Sequence, residues 1–129
     1  LPTGTFRWAN GGHNLPFLTE AAGKPGFLPR TRGTLVGAME DMIFEEAELV
    51  LQPEDLLYLY TDGVNEAMDT ADHLFGNERT QQALLRFGNC NCAELVKGMT
   101  NELTHFTQGA EQSDDITMLA LRYFGPNGK

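Results

Sequence analysis

The chain lacks a long hydrophobic run. Its longest is Leu56 to Tyr60, whereas a bilayer-spanning helix needs about 20 apolar residues, so no membrane partner is expected. Cysteine is nearly absent. Cys90 and Cys92 are the only two, separated by Asn91. A bridge between them would close a very tight ring, and two thiols without further Cys or a His-x-x-x-His cannot complete a zinc site. Both are expected to be reduced and structural, in keeping with a cytoplasmic protein. Positive charge is scarce. Nine Lys and Arg against 18 Asp and Glu leave −9, a field that repels phosphate backbones, so nucleic acid is not an expected partner. A metal cation or a basic protein surface suits the charge better. No Gly-x-Ser-x-Gly occurs and neither cysteine has a basic neighbour, so no activated protein nucleophile is in evidence. The start, Leu1-Pro2-Thr3-Gly4, has neither the basic opening nor the apolar stretch of a signal peptide. A chain that begins on Leu is expected to be cut from something longer.

What is present is globular: 129 residues, 41% hydrophobic and 21% charged, enough for one domain (residues 1–129) with a core. Thr5 to Asn10 alternates and carries aromatics, Gly11-Gly12-His13-Asn14 supplies turn chemistry, and Pro16 to Thr19 follows. That pattern predicts a β-hairpin. Residues 20–37 read as a loop with a short strand near Gly26 to Pro29. Met42 to Leu51 reads as a strand whose glutamates, Glu45, Glu46 and Glu48, form a solvated face. Leu56-Leu57-Tyr58-Leu59-Tyr60 is apolar on both faces, which fits a central strand covered on both sides.

Beyond Gly63 the period changes. Asn65 to Asp69 reads as a short helix, and Glu78 to Phe87 as a second, capped by Asn77 and stopped by Gly88. Asn91-Cys92-Ala93-Glu94 has capping-box spacing, with Leu95, Val96, Met99, Leu103 and Phe106 following at helical intervals. Ile116 to Tyr123 reads as a last strand, nearly apolar on both faces. Strands, then helices, then one strand is an α+β pattern in which helices cover a largely antiparallel sheet.

Two apolar strands each carry aspartate at one end: Thr61-Asp62-Gly63 follows the first, and Ser113-Asp114-Asp115 precedes the second. If they pair antiparallel, the carboxylates of Asp62 and Asp114 meet at one sheet edge. Converging carboxylates repel, and a hard divalent cation bound through oxygen relieves that repulsion. Gly63 would let the backbone approach closely. The alternative is an ordinary turn in which Asp62 caps the following helix and Asp114-Asp115 ends a polar loop. His73, His105, Trp8, Tyr58 and Tyr60 are read as structural.

The motif Leu56 to Ala67 (LLYLYTDGVNEA), with Asn10-Gly11-Gly12-His13-Asn14-Leu15-Pro16 before it and Gln112-Ser113-Asp114-Asp115-Ile116-Thr117-Met118 after it, resembles the bacterial stage-II-sporulation-E-like branch of the PP2C-type serine/threonine phosphatases. Gly33-Thr34-Leu35-Val36-Gly37 and Phe75-Gly76-Asn77-Glu78-Arg79 are similar to two further family segments. The resemblance covers nearly the whole chain but only the C-terminal part of the family domain. The upstream Gly-Asp-Phe-Tyr-Asp motif, with the aspartate that bridges two metals, lies outside these residues. Gly11-Gly12 stands where the family usually has Ala-Gly, and Leu15-Pro16 where it has Pro-Pro.

The resemblance implies the C-terminal portion of a β-sandwich flanked by helices. It also implies a metal-dependent phosphatase using two Mn²⁺ or Mg²⁺ ions, with Asp62 and Asp114 as ligands, Gly63 and Asp115 in support, and His13 and Asn14 flanking the site. The expected partner is a phosphoprotein, such as an anti-sigma-factor antagonist in bacterial signalling. The competing reading is a non-catalytic interaction module or an incomplete phosphatase. Taken alone, the chain is expected to bind metal weakly and to self-associate as a two-fold dimer through exposed strand edges.

Overall fold

A computed structural model describes residues 3–20, 24–33, 35–112 and 114–128. Alternating and β-branched or aromatic residues build six strands: β1 (Thr5–Ala9), β2 (Phe17–Thr19), β3 (Gly26–Phe27), β4 (Glu46–Val50), β5 (Leu56–Tyr60) and β6 (Met118–Arg122). Two helices, α1 (Gly76–Phe87) and α2 (Cys92–Thr107), lie between β5 and β6 in sequence. The strands form two antiparallel sheets, β1-β4 and β3-β2-β5-β6.

The four-stranded sheet is the middle layer. On one face Phe17, Leu56, Tyr58 and Tyr60 pack against Ala83 and Leu84 of α1 and Leu95, Met99 and Leu103 of α2. On the other face Leu18, Leu57 and Leu59 pack against Phe6, Trp8 and Leu49 of the β1-β4 pair. β5 is therefore central and covered on both sides, as its LLYLY run requires. Each fully buried leucine or methionine in these layers contributes about 1.5–3 kcal/mol. The α+β expectation holds in this layering. α2 begins on the expected capping box, with the Asn91 side chain accepting from the Glu94 amide and the Glu94 carboxylate accepting from the Asn91 amide. The glutamates of β4 face solvent.

Four local expectations are corrected. β1 and β2 do not form a hairpin: β1 pairs with β4, Arg7 facing Glu48, and β2 pairs with β3 and β5. The Asn10 side chain accepts from the amides of Gly12 and His13 and donates to the His13 carbonyl, so the turn carries the chain from one sheet to the other. Alternation identifies a strand but does not name its partner.

Asn65 to Asp69 is not helical. The turn after β5 is closed by Val64 and Glu66 amides donating to the Thr61 and Asp62 carbonyls, and the chain then doubles back through a Met68–Leu74 bridge. The Asp69 carboxylate accepts from the Ala71 and His73 amides, a local bond that competes with helix. α1 starts at Gly76 without a side-chain cap, so Asn77 does not cap it. Finally, β6 is an edge strand and is not doubly buried: Leu119 is 56% and Leu121 36% exposed. These two face Leu59 and Leu57 across the ladder, but the two-stranded sheet covers only the β5 side. Both cysteines are free thiols, as expected.

Candidate functional site

The end of β5 and the start of β6 meet because the strands pair antiparallel, with Tyr60 opposite Met118. Beyond the last ladder pair, the Thr61 amide donates to the Thr117 carbonyl at 3.1 Å. The Thr61 hydroxyl donates to the Asp115 carbonyl at 2.8 Å and accepts from the Thr117 amide at 2.9 Å. Gly63 is buried against the same segment. A Cβ there would lie 2.5 Å from the Asp115 carbonyl oxygen and 3.3 Å from that of Asp114, so only glycine allows this approach.

The segments carrying Asp62 and Asp114-Asp115 thus share one sheet edge, and all three aspartates are exposed. Asp114 Oδ1 accepts from the Asp115 amide at 2.7 Å, and the Gln112 side-chain amide donates to the Asp114 carbonyl. Among the described residues, no group of three or more His, Cys, Asp or Glu stands together as a metal cage. The carboxylates at this edge are hard oxygen donors of the type Mg²⁺ and Mn²⁺ take.

The second sequence-identified segment lies beside this edge. Asn14 donates through Nδ2 to Asn65 Oδ1 at 2.8 Å, tying the Asn10–Asn14 turn to the turn that follows Asp62. His13 is exposed, its backbone held by Asn10. His73 lies apart, against Asp69 at 3.1 Å, and His105 is exposed on α2. Ser113 and Thr34, which belong to two of the quoted motifs, lie outside the described residues.

Sequence reading passed over Thr61 and Asn65, which hold the two halves of the site together. A β-branched hydroxyl residue at a strand end, directly before Asp-Gly, was the available signal for Thr61.

The sequence profile described as "Stage II sporulation protein E (SpoIIE)" matches residues 1–124. The chain belongs to the SpoIIE family. It is 31% identical over 121 residues to Protein IcfG of Synechocystis, covering 94% of this chain and 19% of that protein. To the phosphoserine phosphatase RsbU of Bacillus subtilis it is 25% identical over 118 residues, covering 91% of this chain and 34% of RsbU. Among solved structures it is similar to the SiaA-PP2C domain of Pseudomonas aeruginosa, with a TM-score of 0.70 at 22% identity, covering 87% of this chain and 44% of that one. The fold is therefore that of PP2C phosphatase domains, and this SpoIIE-family chain spans less than half the length of each of these relatives. Among the described residues no helix is long and apolar enough to cross a membrane.

Proposed function

We propose that this chain is the C-terminal portion of a single PP2C-type domain, in a protein that hydrolyses phosphoserine or phosphothreonine on a regulatory partner protein. The observation that carries the reading is the junction at Gly63, where the Asp62 turn and the Asp114-Asp115 segment are pressed together. RsbU, a relative by sequence, is described as a phosphoserine phosphatase. An anti-sigma-factor antagonist in the bacterial cytoplasm is the class of substrate this reading favours.

Asp62 and Asp114 would hold Mn²⁺ or Mg²⁺ by their carboxylate oxygens, completed by ligands from outside these residues. A bound divalent ion supplies a water of lowered pKa and neutralises charge on phosphoryl oxygens. The chain's own residues perform the positioning. Thr61 holds the Asp115 backbone, Gly63 lets the two segments close, and Asn14 braces the turn that carries Asp62. His13, exposed next to Asn14, would flank the substrate in this reading.

The test is Mn²⁺-dependent hydrolysis of a phosphoserine protein by the parent, with Asp62→Asn and Asp114→Asn as variants. Each removes one anionic ligand at nearly unchanged shape, and each is expected to abolish most of the activity. Full activity in both variants would overturn the reading. The competing reading, a non-catalytic interaction module, draws support from the lack of a three-ligand group among the described residues. Under it the parent would bind the phosphoprotein without releasing phosphate.

A further inference from the structure

A cavity of about 410 Å³ opens beside the Asp62 turn, walled by Tyr60, His13, Phe27, Arg30, Thr31 and Leu35 among others. Its walls are held firmly. The buried Thr31 hydroxyl accepts from the Asn10 amide, and the Val36 amide donates to the Gly11 carbonyl. A Cβ at Gly11 would lie 2.5 Å from Val36 Cγ2, and Gly12, at φ +96°, has Leu35 directly over it. Gly12, with its positive φ, thus lies under Leu35 on this wall.

The cavity's charge runs against that of the whole. Arg30 is the cation on its wall, and no Asp or Glu lines it, in a protein of net charge −9. Arg30 is exposed, and no ion pair or side-chain hydrogen bond engages it among the described residues. Leu35 of the cavity wall and Val36, Met39 and Ile43, farther along the same segment, are 60%, 77%, 63% and 82% exposed. A pocket with Arg30 and no carboxylate on its wall, bordered by a loop of exposed apolar side chains, complements an acidic segment bearing an apolar residue.

We propose that this cavity seats the polypeptide flanking the phosphorylated residue of a protein substrate, Arg30 selecting an acidic flank and Leu35 contacting an apolar side chain. The proposal rests on the phosphatase reading for what the peptide is, but its test is binding. Fluorescence anisotropy on this chain would compare an acid-flanked phosphoserine peptide, the same peptide with lysine flanks, its unphosphorylated form and inorganic phosphate.

The acid-flanked phosphopeptide is expected to bind roughly tenfold more tightly than the lysine-flanked one, and Arg30→Glu is expected to invert that order. Arg30 is exposed, so the variant will fold. Equal binding of both phosphopeptides, an order unchanged by Arg30→Glu, or competition by inorganic phosphate as effective as the peptide would each overturn the assignment. Hydrolysis by the parent without regard to flanking charge would also remove it while leaving the phosphatase reading intact. Charge-selective binding in a parent that releases no phosphate would do the reverse.

Discussion

The Thr61 hydroxyl donates to the Asp115 carbonyl across 2.8 Å while accepting the Thr117 amide, so one side chain closes the gap where β5 and β6 part. Both aspartate-bearing segments inherit their position from this clamp. Replacing Thr61 by Val keeps the shape and removes both bonds, leaving the Thr117 amide without its acceptor. A loss of about 1–3 kcal/mol is expected. Urea denaturation of Thr61→Val and Thr61→Ser would check it: the serine variant should recover most of the loss, and equal stability of all three forms would contradict the clamp.

Gly63→Ala should harm the site more than the fold. The added methyl meets backbone oxygen, not a flexible side-chain tip, so the Asp114-Asp115 segment has to move. The expected cost is about 1–3 kcal/mol, as for other forced insertions into packed sites. Parent activity should fall by a larger factor than the shift in melting temperature explains. A variant with unchanged kcat and Tm would show that the segments do not need to close.

Metal affinity of the chain by itself should be weak, because in the proposed site Asp62 and Asp114 would supply only part of a coordination shell. Calorimetric titration with Mn²⁺ is expected to give weak binding that Asp62→Asn removes, together with little turnover of a phosphate ester. Efficient Mn²⁺-dependent hydrolysis by residues 1–129 alone would show that no outside ligand is needed.

Alkaline stability should track the stacked tyrosines of β5, whose ring centroids lie 5.6 Å apart. Burial pushes the Tyr60 phenol up to about 12 and holds Tyr58 above its ordinary value as well, burial again being the larger cause. In the unfolded chain a tyrosine loses its proton near pH 10, so between about 10 and 12 the unfolded state binds fewer protons and stability falls as pH rises. The contribution is fully present below 10. Absorbance of tyrosinate, read as the difference from Tyr60→Phe, should appear together with unfolding; Tyr60 ionising near pH 10 in a folded chain would refute this.

Association should follow from β6. Leu119 and Leu121 are exposed on β6, which among the described residues is an edge strand with no neighbour on its outer side. The net charge of −9 opposes contact, but screening at physiological salt acts over about 8 Å. Sedimentation of residues 1–129 is expected to show a dimer at high concentration that Leu119→Lys disperses. A monomer at every concentration would count against it.

The features legible along the sequence were those set by local chemistry. LLYLY had to be covered on both faces because neither face carries a charged or amide side chain and its bulk is apolar on both, and it became β5. Asn91 and Glu94 formed their capping box because both bonds lie within one turn of helix. The antiparallel meeting of Asp62 with Asp114-Asp115 followed from two strands with acids at opposite ends, a relation that pairing alone transmits. Tertiary structure decided what depends on partners distant in the chain. β1 chose β4 over β2 because the Asn10 turn redirects the backbone. The segment after Asp62 gave up helix to the Asp69 side chain, which satisfied the backbone locally in another way. β6 kept one apolar face in water because the two-stranded sheet ends over β5. Periodicity measures how a segment could be buried; whether anything lies across from it is settled only by where the rest of the chain folds.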